Sequence, residues 1–250
     1  MRRLLIDIGN SRIKWCFAEK KQLTPQQALS WQFDSLENIF STTWNYIPSP
    51  DEIWVANVAG QRVAEKLTQW TQRHWQLTPF FAQTHNQCCH VINGYQQPQQ
   101  LGIDRWLAMI AARQLYQGTA CIVSCGTAIT LDVIHSDGQH VGGLITLGLG
   151  STRKTLLQKA HALNQLTDVN LSSTQNFLAN NTHQGVAQGT LVSVLGLLEY
   201  TVKQLERNEE NVMLFLTGGD ATQLIPFLSI YHQHEPNLVL QGLHIVAEHA

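Results

Sequence analysis

Charged residues are scarce in this 250-residue chain, and neither sign is in excess. Lys and Arg number 16 against 18 Asp and Glu, which gives a formal net charge of -2. Nucleic-acid-binding domains normally carry a basic surplus or a clustered basic face. The pairs Arg2-Arg3 and Arg153-Lys154 are too small to provide one, so we expect no nucleic acid among the partners.

Long apolar runs are also missing. No stretch approaches the ~20 residues that a membrane-spanning helix needs. The apolar stretch that follows Arg3 stops at Asp7, far short of the roughly 7–15 residues of a signal-peptide core. The sequence therefore predicts a cytoplasmic protein without a membrane segment.

Cysteines are few and odd in number. The five are Cys16, Cys88, Cys89, Cys121 and Cys125. Without an export signal, an odd count predicts reduced thiols. A zinc site is an alternative interpretation of His85, Cys88, Cys89 and His90, but two adjacent cysteines lack the paired spacing of a structural zinc site. An ordinary loop is the favoured interpretation.

The hydrophobic share of 44% is large enough for a substantial core, and the length suits one large or two small domains. Strands are predicted at residues 4–8, 13–18, 53–56, 120–123, 129–134, 141–147 and 212–216. Helices are predicted over residues 35–46, 60–73, 101–116, 151–162 and 183–207, with a short one near residue 220.

An internal similarity suggests a duplicated unit. Residues 6–11 and residues 123–128 both show an apolar strand, a polar residue, a glycine and a small polar residue before a second strand. This favours two related domains, 1–116 and 117–250, with a cleft between them. Chance likeness of two hairpins remains the alternative, since the match is short.

The first candidate site lies in the predicted turn after residue 8. Gly9 would let the backbone approach a phosphate, and successive turn amides form anion-binding nests. Asp7 at the strand end is suited to Mg²⁺, and Lys14 would add positive charge. The alternative is a plain hairpin whose Asp7 and Asn10 satisfy turn amides.

A second glycine hairpin occurs at Gly126-Thr127-Ala128. It would hold the other end of a polyphosphate. Thr130 and Asp132 lie two residues apart and so share one face of the following strand. A buried carboxylate at Asp132 needs a partner, and a hydrated metal ion is one candidate.

The segment Gly102-Ile103-Asp104-Arg105 stands directly before a helical pattern. Asp104 is placed either to cap that helix or to act as the general base for an attacking hydroxyl. Arg105 would grip an anionic group. A further glycine turn, Gly218-Gly219, suits either a nucleoside or a simple strand-to-helix connection.

The order of these motifs resembles the type III pantothenate kinases. The likeness rests on Asp7-x-Gly9-Asn10-Ser11-x-x-Lys14, Gly102-x-Asp104-Arg105 and Gly126-Thr127-Ala128-x-Thr130-x-Asp132, and it continues through Gly142-Gly143, Asn181-Thr182 and Thr217-Gly218-Gly219. The resemblance implies an α/β fold of two related actin-like (ribonuclease H-like) domains, with mixed β-sheets flanked by helices and ATP in the interdomain cleft. It also implies phosphorylation of pantothenate to 4'-phosphopantothenate, the first step of coenzyme A biosynthesis.

The resemblance also implies roles for individual residues. ATP would be bound by Asp7, Ile8, Gly9, Asn10, Ser11, Arg12, Ile13, Lys14 and Thr127. Pantothenate would contact Tyr95, Gly102, Ile103, Asp104, Arg105 and Thr182, with Asp104 as the proton acceptor. Asp7 and Asp132 are the expected metal ligands. Members of the family are typically homodimers that use Mg²⁺ and a monovalent cation, either K⁺ or NH₄⁺.

One position departs from the family's pattern. Ser124 stands where the family commonly has the aspartate that is tied to the monovalent cation. A hydroxyl is a weaker ligand for a hard cation than a carboxylate, so we expect weak potassium activation. Two other functions remain open, namely phosphorylation of a different small-molecule hydroxyl and ligand binding by a non-catalytic regulator.

Overall fold

The computed structural model describes residues 1–20, 22–31, 36–159, 178–207 and 211–250. These group into two compact units. The first consists of Met1–Gln117, Gly138–Val141 and Asn237–Ala250, and the second of Gly118–Asp137 and Gly142–Pro236. The predicted domains 1–116 and 117–250 stay a prediction, and each unit is described here by itself.

The first unit is built on a mixed sheet. Its strands are β1 (Arg2–Ile8), β2 (Arg12–Glu19), β3 (Gln22–Leu23), β4 (Gln27–Ser30), β5 (Glu52–Asn57) and β6 (Phe80–Phe81), in the order β3-β2-β1-β5-β6 with β4 also on β2. The strand pair β1–β2 is antiparallel, whereas β5 is parallel to β1. Its other elements are α1 (Leu36–Thr42), α2 (Gln61–Trp75), the hairpin β7 (Gln87–Cys88) and β8 (Val91–Ile92), α3 (Ile103–Leu115) and α7 (Leu238–His249).

Helices cover both faces of this sheet, and that arrangement places the candidate site. Leu4, Ile6 and Ile8 of β1 pack in one cluster with residues of α1 and α2. Successive strand residues point to opposite faces, so Leu5 and Asp7 point to the other face. There α7 contacts β1, and both α3 and α7 contact β5. Asp7 is therefore on the face of the sheet that carries α3.

The second unit repeats this sheet order. Its strands are β9 (Ala120–Cys125), β10 (Ala128–Ile134), β11 (His140–Leu147), β12 (Met213–Thr217) and β13 (His232–His234), in the order β11-β10-β9-β12-β13. Its helices are α4 (Leu149–Lys159), α5 (Thr182–Leu205) and α6 (Ala221–Leu224). As in the first unit, an antiparallel hairpin is extended on the side of its first strand by a parallel strand. The predicted α/β class with mixed sheets flanked by helices is confirmed.

Helix α5 lies against the second sheet. Its buried residues Ala187, Leu191, Val194, Leu198 and Val202 recur every three to four positions and join the core cluster of that sheet. By length and composition α5 would also be apolar enough to cross a membrane, although 39% of the apolar window is buried within the protein. Its many glycine, serine and threonine residues interrupt the apolar run without making it polar, so the helix meets this criterion without one continuous apolar stretch. A buried core helix meets the same criterion.

Several predicted boundaries differ from the observed ones. The helix expected over residues 35–46 is α1 followed by a separate 3₁₀ turn at Trp44–Tyr46. Helix α4 ends at Lys159, and residues 160–162 of the predicted helix lie outside the described residues. The sequence-based prediction missed α7, β4 and the two- and three-residue strands β3, β6, β7, β8 and β13. Strands of two or three residues carry no periodicity.

Candidate active site

The turn between β1 and β2 is the first part of the site. The Gly9 amide donates to the Arg12 carbonyl at 3.0 Å, and the Trp31 indole Nε1 donates to the Gly9 carbonyl at 2.9 Å. Asn10, Ser11 and Arg12 are exposed. Trp31 thus anchors the turn through the Gly9 carbonyl, and the polar residues of the turn are exposed.

Asp7 lies at the end of β1, immediately before this turn. Its side chain is 7% exposed, and it pairs across the strands with Lys14. Burial raises the pKa of Asp7 to about 6, Lys14 opposes the rise, and the Asp104 carboxylate adds to it. A carboxylate of this kind gains from a nearby cation, because burial penalises its negative charge.

Asp104 lies in the first turn of α3. The helix follows Gly102, and the Asp104 Oδ1 accepts a hydrogen bond from the Arg105 amide at 2.9 Å. A negative charge is favoured at a helix N-terminus, where backbone amides lack partners. The carboxylate is close enough to Asp7 to influence its pKa.

Arg105 is oriented by Tyr95. Arg105 as a whole is 6% exposed, and its guanidinium Nη1 donates to the Tyr95 hydroxyl at 2.9 Å. The guanidinium carbon also lies 5.5 Å from the centroid of the Tyr95 ring. The first unit therefore brings together five predicted site residues, of which Asp7, Lys14 and Asp104 form a charged group and Tyr95 and Arg105 form a hydrogen-bonded pair.

Three hydroxyls form a row across the second sheet. Ser124 pairs with Thr130 on one side and with Thr217 on the other. Directly opposite residues of neighbouring strands share a face of the sheet. The row ends where β9 and β12 run into the glycine turns at Gly126 and Gly218.

These turns are packed backbone against backbone. A Cβ atom on Gly218 would lie 2.2 Å from the Cys125 carbonyl oxygen, and one on Gly148 would lie 1.8 Å from the Gly126 carbonyl oxygen. The Gly148 amide donates to the Thr127 carbonyl at 2.9 Å. The exposed Thr127 side chain thus stands on a closely packed support.

Asp132 and Thr182 complete the predicted set in the second unit. Asp132 is 2% exposed and contributes to raising the pKa of the Cys121 thiol, whose burial is the larger cause. Thr182 is the exposed first residue of α5, where the Asn181 side chain caps the helix by accepting from the Gln184 amide at 3.0 Å. That Ser124, Thr127, Asp132 and Thr182 join the first-unit residues around one substrate stays a prediction.

The cysteines offer neither a metal cluster nor a reactive thiolate in the core. Within the described ranges, no group of three or more His, Cys, Asp and Glu side chains is arranged to hold a metal ion. The Sγ atoms of Cys88 and Cys89 lie 3.3 Å apart at the end of the β7–β8 hairpin. Burial raises the pKa of Cys16 and of Cys125 to about 12, so both thiols are protonated at neutral pH.

A groove lies along α2, and its lining residue Asn57 pairs with Ile8 across the sheet. Its volume is about 500 Å³, and it is lined by Asn57, Gln61, Ala64, Glu65, Thr68, Gln69, Phe81 and Ala82. None of the predicted site residues lines it. Its lining residues are neutral apart from Glu65.

Sequence analysis missed two residues that support the site. Trp31 holds the Gly9 carbonyl, and His140 is buried against the Tyr95 ring. The only sequence signal for Trp31 is an aromatic residue beyond the hairpin, and for His140 a histidine that precedes an apolar strand. Neither signal says which distant residue is contacted.

Comparison with known proteins places this chain in a family. A family model described as type III pantothenate kinase matches residues 3–204. A type III pantothenate kinase of Nitrosococcus oceani is 37% identical over 98% of this chain and 93% of its own length. One from Paraburkholderia phymatum is 31% identical over 99% of this chain and 94% of its own length.

Solved structures agree on the fold. A protein from Campylobacter jejuni, described as a Baf family transcriptional activator, superposes with a TM-score of 0.61 over 98% of both chains at 22% identity. The activator of 2-hydroxyisocaproyl-CoA dehydratase from Clostridium difficile superposes with a TM-score of 0.56 over 99% of this chain and 94% of its own, at 11% identity. These likenesses show the actin-like fold alone, and with the family match they lead to one conclusion: the chain belongs to the type III pantothenate kinase family.

Proposed function

We propose that this chain transfers the γ-phosphoryl group of ATP to the primary hydroxyl of pantothenate, yielding 4'-phosphopantothenate and ADP for coenzyme A biosynthesis. The observation that carries the proposal is the charged group of Asp7, Lys14 and Asp104 beside Arg105. Phosphoryl transfer needs positioning, charge neutralisation and an oriented nucleophile. This group supplies residues suited to each need in a chain of the matching family.

Asp104 is the proposed general base. Its carboxylate accepts the proton of the attacking hydroxyl while the oxygen bonds to the γ-phosphorus and the bond to ADP breaks. The hydrogen bond from the Arg105 amide holds this carboxylate in place. A positioned base contributes typically 10²–10⁴-fold to a rate.

Arg105 is proposed to bind the pantothenate carboxylate, with Tyr95, Gly102, Ile103 and Thr182 around it. A guanidinium suits a carboxylate because its rigid fork of donors matches the two oxygens. The low exposure of Arg105 supports this role. Charges attract each other more strongly where water is excluded, so burial strengthens the attraction of the guanidinium for an anion.

The β1–β2 turn is proposed to bind the phosphates of ATP, with Thr127 as a further contact. Turn amides and Lys14 suit anionic oxygens, and a substituent at Gly9 would begin to crowd the Arg12 carbonyl. Mg²⁺ fits Asp7, because this ion takes one or two protein carboxylates together with substrate phosphates and Asp7 is a buried carboxylate with a raised pKa. When bound, Mg²⁺ neutralises charge on the phosphates, and Asp132 is the second proposed ligand.

The monovalent-cation requirement is proposed to be weak. Ser124 supplies a hydroxyl, and its cross-strand neighbours Thr130 and Thr217 supply two more. Neutral oxygens bind K⁺ or NH₄⁺ less strongly than a carboxylate does.

A cytoplasmic homodimer is also proposed, and the exposed apolar side chains of β11 support the dimer.

ADP release measured with purified protein, Mg·ATP and pantothenate tests the proposal. We expect turnover that depends on pantothenate and falls by about 10²–10⁴-fold in Asp104→Asn. Glu37→Gln is the matched control, since that carboxylate is 75% exposed, and it should retain activity. If pantothenate elicits no ADP from the wild-type protein, another hydroxyl substrate or a non-catalytic regulator replaces this function.

A further inference from the structure

A short segment that leads into the start of β11 packs against the loop that carries Tyr95. Residues Gly138–Val141 belong to the first unit. The Ile92 amide donates to the Gly138 carbonyl at 3.0 Å, and Ile92 forms a parallel bridge with Gln139. A Cβ atom on Gly138, whose φ is +88°, would lie 2.1 Å from the His90 carbonyl oxygen. The β7–β8 hairpin and this segment therefore form one closely packed surface.

His140 is the side chain that this segment directs at Tyr95. The imidazole is 1% exposed and stacks on the Tyr95 ring, with centroids 5.6 Å apart and an interplanar angle of 16°. Its Nδ1 accepts a hydrogen bond from the Gly94 amide at 3.4 Å. A Cβ atom on Gly94 would lie 1.9 Å from the His140 carbonyl oxygen, so the two backbones meet without side chains between them.

The contacts continue from Tyr95 to Arg105. The Tyr95 amide donates to the Asn93 Oδ1 at 3.0 Å, which fixes the local backbone of the loop. The Tyr95 hydroxyl then accepts from the Arg105 Nη1 at 2.9 Å. A guanidinium is planar with its donors in fixed directions, so holding one nitrogen orients the whole fork.

We infer that His140 is a positioning residue for recognition of the substrate's carboxylate, acting through Tyr95 on Arg105. The inference rests on the proposed function, in which Arg105 binds the pantothenate carboxylate. His140 itself contacts neither substrate nor ATP in this scheme. Its stack sets the plane of the Tyr95 ring, and the ring sets the position of the hydroxyl that orients the guanidinium.

The test compares pantothenate with its neutral amide as substrates of wild type and His140→Leu. Leucine removes both the stacking ring and the hydrogen-bond acceptor. We expect the KM for pantothenate to rise about tenfold, as for loss of one hydrogen bond to a charged group. The KM for ATP and the activity toward the amide should stay within about twofold, since neither requires the carboxylate contact.

Two further variants separate the ring from its nitrogen. His140→Phe keeps the stack without the acceptor, so it should preserve the preference for the acid over the amide. His140→Gln keeps an acceptor without the ring, so it should lose that preference. These two variants also decide the question if His140→Leu does not fold, as judged by thermal melting.

Failure of the role inferred for His140 can be distinguished from failure of the role proposed for Arg105. Equal losses toward acid and amide in the leucine and glutamine variants, or a parallel rise in the KM for ATP, would show a general structural role and overturn the inference. Arg105→Ala is the reference variant. If it abolishes the preference for the acid and the His140 variants leave that preference intact, only the inference fails. If Arg105→Ala leaves the preference intact, the proposed role of Arg105 fails as well.

Discussion

At the scale of single residues, Asp7 combines burial with a charged group. Its pKa rises from an ordinary value of 3.8 to about 6 in the folded protein. The folded state therefore binds the proton more tightly than the unfolded state does. Stability from this group is fully present below about pH 4 and is lost as the pH rises through 6.

Asp7→Asn should remove this pH dependence. Because asparagine carries no charge, the variant should gain about 2 to 3 kcal/mol over wild type as the pH rises from 4 to 7, and then no more. Urea denaturation at several pH values measures the difference in unfolding free energy. The same variant should lose kinase activity, since Asn offers a poorer ligand to Mg²⁺ than a carboxylate does.

Glu37→Gln controls for removal of a surface charge in this experiment. A stability difference between Asp7→Asn and wild type that is the same at pH 4 and pH 7 would contradict the raised pKa of Asp7.

Ser124 is the residue at which this chain departs from the family's pattern. Ser124→Asp would place a carboxylate in the row between Thr130 and Thr217. We expect potassium to activate the variant more strongly, and at lower concentration, than it activates wild type, because a carboxylate binds a hard cation better than a hydroxyl does. An activity titration with KCl measures this, with Thr130→Ser as a control that keeps the hydroxyl. Strong, saturable activation of wild type at low millimolar potassium would contradict the prediction.

At the scale of elements, the close approach of Gly148 to the Gly126–Thr127 turn limits what the start of α4 can tolerate. Gly148→Ala would force a methyl group to within 1.8 Å of the Gly126 carbonyl oxygen. We expect a loss of about 1 to 3 kcal/mol in unfolding free energy, as for overpacking, together with a higher KM for ATP as the Thr127 turn shifts.

Gly150, in the first turn of α4, provides the matched control. A Cβ atom there meets nothing within 4 Å, so Gly150→Ala should raise stability by roughly 0.5–1 kcal/mol. Urea denaturation of both variants measures the contrast. Equal stability of the two would show that the turn moves freely away from α4.

Elements and site residues could be predicted from the sequence where the residues that define them are contiguous in the chain. The hairpins β1–β2 and β9–β10 are visible in the sequence because an apolar run, a glycine turn and a second run are contiguous. Asp7, Asp104 and Arg105 stand beside such glycine signals, so their chemistry could be predicted. The pairing of His140 with Tyr95 could not, because 45 residues separate them and neither occurs in a periodic pattern.

At the scale of the whole molecule, β11 exposes an unusual amount of apolar surface. Val141, Leu144, Ile145 and Leu147 are each about half exposed or more, and β11 is an edge strand of its sheet. Exposed apolar edge strands invite pairing with another chain unless they are covered. A second copy of this chain is the proposed cover.

Ile145→Asp should therefore convert a dimer into a monomer. The side chain is 64% exposed, and a carboxylate buried in a dimer interface would be penalised by desolvation. Sedimentation velocity of wild type and variant measures the change in mass. Tyr46→Asp, at a side chain that is 84% exposed in the first unit, is the control and should leave the mass unchanged. A wild-type protein that sediments as a monomer would contradict the proposed dimer.

Helix α7 affects the order in which the two units can fold during translation. The helix packs on α3 and β1, and at Gly242 its backbone meets the Leu107 backbone so closely that a Cβ atom would lie 1.9 Å from the Leu107 carbonyl oxygen. On the ribosome, residues 1–117 emerge long before α7 does. Domains usually fold as they are made, but here the nascent first unit lacks the contacts of α7 with α3 and β1 until Leu238–His249 is translated. The second unit, a continuous stretch apart from Gly138–Val141, can complete its folding first, so the order of folding would be the reverse of the order of translation.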